Sequence, residues 1–353
     1  MKKVLAFIRK ALFVLSAATL VLLVLTTIAL LQFADKTWWG SGIAFGPRWV
    51  LLVPLGTLLP AILLFAAWRA FAVWLLCALV TAFGVLDLRV PVGSLIQLAG
   101  PDDKPLSVMT WNCGGDRKLA EGLRRLLADE RIDLVAVEEW DPAQSLASSL
   151  PGWHVAENGS IGVASRYPVK LVEWLWFSEF ALGSDGQLLR VDLQLGEQVV
   201  HVYALHLETP RDGLEALLSS VERRRDLDRG IDEMERNIET RRIESAAARR
   251  YIDEVGGQFI ILGDFNLTVE SRIYRRYWRA FANAFSNAGW GLGHTKRTRR
   301  IGTRIDHVLC GPGCDVSDAY VGRDLGSDHL PMIGKLRLHP ALPGEAASAP
   351  TER

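Results

Sequence analysis

Long uncharged runs dominate the first hundred residues of the chain. Residues 11–33 contain no charged side chain, and between Val50 and Leu86 only Arg69 is charged. Since a helix needs roughly 20 apolar residues to cross a bilayer core, this pattern predicts transmembrane helices at about 11–33, 50–67 and 71–87. A cleaved signal peptide and a hairpin buried in a soluble core are the alternatives. The first uncharged run is longer than the apolar segment of a signal peptide, which argues against cleavage.

After residue 90 the pattern changes to short apolar runs that alternate with helical spacing. Residues 91–104 carry Pro and Gly and are typical of a linker. Alternating strands and helices over 105–340 indicate one α/β catalytic domain. Within it, residues 211–255 have a helical pattern and are predicted to form a helical insertion. The last residues, 341–353, are predicted to be a disordered tail.

The short apolar runs of the second part share one feature, which is a polar side chain at or near one end. These residues are Asn112, Glu138 and Glu139, His206, Asp264 and Asn266, Asp306, and Asp328 and His329. Asp and Asn side chains often make turns, and this would explain any single case. Repetition at six strand ends instead predicts that these groups converge on one pocket.

The residue types at these ends indicate a metal-dependent hydrolase. Asn112, Glu139, Asp264, Asn266 and Asp328 offer hard oxygen donors, which suit Mg²⁺, Mn²⁺ or Ca²⁺ and not zinc or copper. His206 and His329 add groups that can move a proton near neutral pH. A metal, carboxylates and two histidines together favour phosphodiester hydrolysis.

The chain has no net formal charge, but its two parts differ in charge. Residues 1–100 hold eight Lys or Arg and two acidic residues, and the remainder holds 32 basic and 38 acidic residues. The acidic balance excludes a protein that coats DNA through a broad positive face. One local run, 294–304, is basic and is either an exposed hairpin or a positive rim for an anionic substrate. The predicted substrate-binding residues are Arg242, Arg299, Arg300 and Arg304.

Charge and cysteines also predict the location of the catalytic domain. Lys2, Lys3, Arg9 and Lys10 place the N-terminus in the cytoplasm, so three spans put the later residues outside it. The spacing of Cys310 and Cys314 allows a disulfide, which would persist in an oxidising compartment. The alternative is that the two cysteines are simply small residues that flank a hairpin. We therefore expect a multi-pass protein of the bacterial inner membrane with a periplasmic catalytic domain.

The ordered motifs resemble those of the endonuclease/exonuclease/phosphatase superfamily. They are WN ending at 112, EE at 139, ALH at 206, GDFN at 263–266, RIDH from 304 and GSDH ending at 329. Members include pancreatic deoxyribonuclease, abasic-site endonucleases, bacterial sphingomyelinases and inositol polyphosphate phosphatases. The resemblance covers roughly residues 105–340. More specifically, the chain resembles bacterial membrane-anchored members of the superfamily.

This resemblance implies a fold and a set of roles. The fold would be a four-layer α/β sandwich with two central mixed β-sheets flanked by helices, preceded by the transmembrane region. Metal ligands would be Asn112, Glu139 and Asp328, and the ion Mg²⁺ or Mn²⁺. The catalytic residues would be His206, Asp264, Asn266, Asp306 and His329, with the general base left open between Asp264 and the Asp306–His329 pair. The family often has Gln before the metal-binding Glu, and Glu138 stands there instead.

The sequence therefore predicts a membrane-anchored, metal-dependent phosphoesterase. Its substrate would be nucleic acid, or a phospholipid or other small phosphodiester. The bilayer would be its other partner, through the N-terminal helices, and no protein partner can be inferred. The alternative is an inactive membrane-bound interaction protein that retains the hydrolase fold.

Overall fold

A computed structural model describes residues 1–91, 104–115, 120–181, 183–223, 226–298 and 301–340. The chain forms two compact units. One contains Met1–Arg89 with Glu270–Arg272, and the other contains the remaining residues. Most of the linker predicted at 91–104 and all of the tail predicted at 341–353 lie outside the described residues.

The N-terminal unit is helical throughout. Its elements are α1 (Lys2–Phe33), α2 (Trp38–Phe45), a 3₁₀ turn (Arg48–Leu51), α3 (Leu52–Leu64), α4 (Trp68–Leu79) and a π turn (Val80–Val85). Two helices, Lys2–Phe33 and Trp68–Val85, are long and apolar enough to cross a membrane. A third span exists if the pair Trp38–Phe45 and Arg48–Leu64, bent by 79°, counts as one. The prediction of three spans stays a prediction.

Helices α1 and α4 run in the same direction in this unit. Leu12 packs against Ala70 near the start of each helix, and Thr27 lies beside Gly84 near their ends. Helix α3 runs the opposite way, because Ile62 near its end packs with Ala70 at the start of α4, whereas Leu55 near its start accepts from the Trp74 indole further along α4. The N-terminus and the α3–α4 turn therefore share one end of the unit.

Two six-stranded sheets form the centre of the second unit. Sheet one has the order β13-β14-β1-β2-β4-β3 and sheet two the order β5-β6-β7-β8-β12-β9. Only β1–β2 and β7–β8 pair in parallel among the described strands, so both sheets are mixed. Sheet one contains β1 (Lys104–Asn112), β2 (Leu134–Glu138), β3 (His154–Asn158), β4 (Ile161–Ser165), β13 (Cys314–Val321) and β14 (Met332–Leu338). Sheet two contains β5 (Val169–Trp176), β6 (Gln187–Leu195), β7 (Gln198–His206), β8 (Phe259–Asp264), β9 (Ala282–Asn283) and β12 (Asp306–Cys310).

Helices cover the outer faces of both sheets, and they are α5 (Ala120–Asp129), α6 (Leu146–Ser149), α8 (Leu227–Val255) and α9 (Arg272–Tyr277). Helix α7 (Arg211–Arg223) packs on α8, and α10 (Ala284–Ala288) packs into the core between the sheets. A small ribbon consists of β10 (Lys296–Arg297) and β11 (Gly302–Thr303). Leu123 and Leu127 of α5 pack against Met109 of sheet one. Tyr251 of α8 packs edge-on against Tyr203 of sheet two. The predicted four-layer α/β sandwich is thus confirmed, and α8 supplies one of its layers.

Candidate active site

The inward-facing positions of the central strands change from apolar to polar at one end of the sandwich. In β8, Ile260 and Leu262 belong to the core between the sheets, and the next position on that face is Asp264. In β7, Ala204 is followed in the same way by His206. Because strand side chains alternate between faces, each polar group continues an apolar row to its open end.

Strand register then sets these groups side by side. His206 pairs with Asp264, and Asp264 pairs with Asp306, across three neighbouring strands of sheet two. Gly263 permits the close approach of β7 and β8, since a Cβ at this position would lie 1.8 Å from the carbonyl oxygen of Leu205. The polar ends predicted from the sequence therefore share one row.

His329 bridges two carboxylates of this row. Its Nδ1 lies 3.0 Å from Asp306 Oδ2, and its Nε2 lies 3.6 Å from Asp264 Oδ2. All three side chains are buried, and their nearest ligand atoms lie within 4.8 Å of one another. Burial alone would lower the pKa of His329, but the carboxylates of Asp306 and Asp264 outweigh it and raise that pKa to about 9. The imidazole therefore holds its proton at neutral pH.

The Asp264 carboxyl is buried within this cluster. Burial raises the pKa of its carboxyl above the ordinary value, and repulsion from Asp306 adds to the rise. The His329 imidazolium opposes both effects. One carboxylate oxygen accepts the backbone N–H of Asn266 at 2.9 Å, which fixes the orientation of the group.

Asn112 joins this cluster to the mouth of the site. Its Nδ2 donates to Glu139 Oε1 at 2.8 Å and to Asp264 Oδ2 at 3.1 Å, and its Oδ1 accepts the N–H of Gly114. His206 Nε2 lies 3.7 Å from the same Glu139 oxygen. The Glu139 side chain is 46% exposed, so its carboxylate is open to a ligand from solvent.

The two adjacent glutamates have opposite environments. Glu138 ends β2 inside the sandwich, fully buried, and accepts the Thr110 hydroxyl at 2.8 Å. Burial raises the pKa of Glu138 well above its ordinary range, and Asp306 raises it further. Glu139 follows the strand with a left-handed φ of 51° that turns its side chain outward. This difference favours Glu139 as the accessible metal ligand.

Asn266 is held by its neighbours on three sides. Its backbone is left-handed, with φ 49°, a conformation that Asn tolerates better than most residues. Its Nδ2 donates to the carbonyl of Leu207 at 2.8 Å, and its own carbonyl accepts Arg241 Nη1 at 3.0 Å. Positive φ at both Asn266 and Glu139 is typical of strain placed at a functional site.

Arg241 is a site residue that the sequence did not single out. It is fully buried on α8, where its face continues through Ile238, Ser245, Ala248 and Ile252. Glu244, one turn away, accepts the Ser184 hydroxyl and the backbone N–H of Glu208, and burial raises its pKa to about 8. An arginine on the helical face that also carries Ile238, Ala248 and Ile252 was the available signal. Through Arg241, helix α8 fixes the loop that carries Asn266.

Asp328 lies on the rim of the site. Its carboxylate pairs with Lys296 and, at 3.5 Å, with Arg211. Partial burial would raise the pKa of Asp328, but the ammonium of Lys296 lowers it overall. Of the three predicted metal ligands, Asp328 is the one whose carboxylate contacts cationic side chains. Its Oδ1 lies 3.9 Å from His329 Nε2.

The predicted substrate-binding arginines are not gathered at this cluster. Arg299 and Arg300 lie outside the described residues. Arg242 is exposed on α8 and pairs with Glu239. Arg304 is buried, with its guanidinium 4.8 Å from the centre of the Phe285 ring. Arg242 and Arg304 are thus engaged within the fold, and their predicted contact with substrate gains no support from their positions.

The donor set at the mouth fits a hard divalent cation. Glu139 offers an exposed carboxylate, which Asn112 holds in place through Nδ2, while Asn112 Oδ1 accepts the N–H of Gly114. Carboxylate and amide oxygens are the ligands that Mg²⁺ and Mn²⁺ prefer. The Asp306–His329 hydrogen bond, by contrast, suits proton transfer better than metal ligation.

Comparisons with known proteins agree with this architecture. The family model described as the endonuclease/exonuclease/phosphatase family matches residues 109–329. A family protein from Bacteroides thetaiotaomicron is 15% identical, with a TM-score of 0.50 over 67% of this chain and 99% of its own. A family protein from Bacteroides vulgatus is 16% identical, with a TM-score of 0.50 over 67% of this chain and 100% of its own.

A 3′ phosphatase from Neisseria, solved with a product DNA hairpin, is also similar in structure. It is 17% identical, with a TM-score of 0.50 over 65% of this chain and 98% of its own. At these identities the likeness shows the fold. No curated protein is significantly similar to the chain in sequence.

Proposed function

The chain belongs to the endonuclease/exonuclease/phosphatase family, and from this premise we propose that it is a divalent-metal-dependent hydrolase of phosphodiester bonds. Members of the family are hydrolases that act on phosphodiester bonds, and they generally use divalent metal ions. One observation carries the proposal for this chain. His329 lies between Asp306 and Asp264, and Asn112 connects Asp264 to the exposed Glu139.

The roles of the side chains follow from their protonation and contacts. Asp306 holds His329 Nδ1, so the proton on Nε2 is directed toward Asp264 and the space beside it. His329 would donate to a phosphate oxygen, and Asp264 would take the proton of the attacking water. Glu139 would bind the metal ion directly, with its carboxylate oriented by Asn112 Nδ2, and the ion would polarise the phosphate.

Charge at the site favours a small phosphodiester or phospholipid over long nucleic acid. The part of the chain after residue 100 has 32 basic and 38 acidic residues. Two members of the predicted basic rim, Lys296 and Arg304, are engaged by Asp328 and by Phe285. Among the rim residues that the structure describes, Lys296 and Arg304 therefore have little free charge to offer a polymer of phosphates.

A substrate panel tests this proposal on the full-length chain in detergent. The substrates are single- and double-stranded DNA, RNA, a phospholipid and a small chromogenic phosphodiester, each with Mg²⁺ or Mn²⁺. We expect hydrolysis of the small phosphodiester or phospholipid to exceed hydrolysis of the nucleic acids at physiological salt. Faster cleavage of DNA or RNA would reject the substrate class, and no cleavage of any substrate would reject the proposed function.

We also propose that the apolar helices anchor the chain in the cell membrane with the catalytic unit outside the cytoplasm. Lys2, Arg9 and Lys10 lie at the same end of the N-terminal unit as Arg69 in the first turn of α4. Clustered basic residues mark the cytoplasmic end of a membrane protein. The bond between Cys310 and Cys314 supports an oxidising compartment for the catalytic unit.

Reporter fusions test this topology. Alkaline phosphatase fused after Asp102 should be active, and β-galactosidase fused there should be inactive, because the former needs an oxidising compartment. The same reporters fused after Ala66 should show the reverse pattern, which provides an internal control. Strong β-galactosidase activity after Asp102 would place the catalytic unit in the cytoplasm.

A further inference from the structure

A cationic hollow lies at the end of the N-terminal unit that holds the N-terminus. Its volume is about 800 Å³. We call it the basic hollow and define it by four basic residues, Lys2, Arg9, Lys10 and Arg69, and two aromatic residues, Phe13 and Trp68. It is separate from the site around Asp264, since all the residues that line it belong to α1, α4 and the α3–α4 turn.

Small side chains and a tight turn create the space. Leu12 packs against Ala67 and Ala70, which brings the start of α1 against the α3–α4 turn. Ala66 in that turn has a left-handed φ of 47°, and no large side chain fills the volume beside it. Arg9 Nε donates to the carbonyl of Phe65 at 2.8 Å, which fixes one cation on the wall.

The charge of the basic hollow is uncompensated. None of its four basic side chains forms an ion pair among the described residues, and no carboxylate lines the space. The acidic residues of the first 91, Asp35 and Asp87, follow the far ends of α1 and α4. Since α1 has 32 residues, that end is roughly 48 Å away along the helix axis.

The residues around the basic hollow indicate which type of anion it binds. Trp68 is 69% exposed, and the exposed Phe7, Phe13 and Leu64 continue an apolar surface away from the cations. Tryptophan and basic residues at the ends of apolar helices lie at the level of lipid headgroups. Arginine and lysine bind phosphate oxygens through charge-assisted hydrogen bonds. A ligand that satisfies both surfaces has a phosphate joined to acyl chains.

We propose that the basic hollow is a binding site for an anionic phospholipid. Arg9, Lys10 and Arg69 bind the headgroup phosphate, and an acyl chain lies along Phe13. Basic pockets between membrane helices on the cytoplasmic side are suited to such headgroups. The site is independent of phosphodiester hydrolysis, because it shares no residue with the cluster around Asp264.

Lipid binding to the full-length chain in detergent, titrated by native mass spectrometry, tests the proposal. Phosphatidylglycerol is the anionic probe, phosphatidylcholine the zwitterionic one, and inorganic phosphate the free anion. Phosphatidylglycerol should bind at least about tenfold more tightly than phosphatidylcholine, since each basic residue near an anionic headgroup contributes about fivefold. Similar affinities for the two lipids, or equal affinity for inorganic phosphate, would overturn the proposal.

Matched variants locate the binding. The pair Lys10→Gln with Arg69→Gln should weaken phosphatidylglycerol binding about 10- to 25-fold and leave phosphatidylcholine unchanged. The pair Lys3→Gln with Lys36→Gln removes equal charge outside the basic hollow and should change binding less than twofold. Ala6→Trp keeps every charge and fills the space, so it should also weaken binding. Equal losses in the two charge pairs, or no loss in Ala6→Trp, would show diffuse attraction without a site.

Discussion

Replacing Asp264 by Asn is expected to lower the rate of phosphodiester hydrolysis by at least ~100-fold, the usual scale for a positioned acid–base group. The substitution keeps the size of the side chain and removes its ability to accept a proton. Asn266 N–H and Asn112 Nδ2 both donate to this carboxylate, so the change also disturbs their orientation. Rates on the small phosphodiester and the melting temperature of the full-length chain provide the measurement.

Asp192→Asn is the matched control for this experiment. Asp192, like Asp264, lies beside a histidine, with His201 Nδ1 at 2.7 Å, but His201 lies five residues before His206 on β7. That separation is about 17 Å along a strand, too far for contact with the substrate phosphate. The control should keep its activity within about twofold. An Asp264→Asn chain as active as the control would remove Asp264 from the chemistry.

Chelation of divalent metal is expected to abolish hydrolysis. When the ion is added back, variants of the two adjacent glutamates should need different concentrations of it. Glu139→Gln should raise the Mg²⁺ or Mn²⁺ concentration needed for half-maximal activity by at least ~10-fold, since even outer partners of a metal site contribute that much. Its carboxylate is exposed at the mouth of the site beside Asn112. Metal titrations of chelator-treated protein provide the measurement.

Glu138→Gln serves as the control within the same motif. Burial raises the pKa of the Glu138 carboxyl well above its ordinary range, which favours the uncharged form, and Gln keeps the shape of that form. The metal requirement of this variant should stay within about threefold of the unchanged chain. If Glu138→Gln shifted the metal requirement and Glu139→Gln did not, the assignment of the two residues would be reversed.

The sequence predicted the central architecture because the relevant signals are local. In β8 the inward positions are Ile260, Leu262 and Asp264. The first two indicate the face that packs in the core, and Asp264 indicates the end of the strand that carries the site. The alternation of strands and helices predicted an α/β domain, and the family resemblance implied its four layers. The family resemblance added the pairing of Asp306 with His329, which lie 23 residues apart and make contact at 3.0 Å.

The arginines show where local signals fail. Arg241 and Arg242 are adjacent, and the sequence favoured Arg242 as a substrate contact, whereas Arg241 is the buried one that binds the Asn266 carbonyl. Arg304 looked like part of a basic surface, yet its guanidinium lies over Phe285. The side that a helical or loop residue presents depends on packing between distant segments, and charge patterns do not report it.

Gly263 limits which substitutions this protein can tolerate. It contributes no atom to the chemistry, yet a single methyl group there would meet the Leu205 backbone at 1.8 Å and force β7 away from β8. A shift of one residue in that pairing would turn Asp264 out of the pocket. Any side chain at position 263 would therefore collide with the backbone of β7, so glycine is required there for the register that places Asp264 in the pocket.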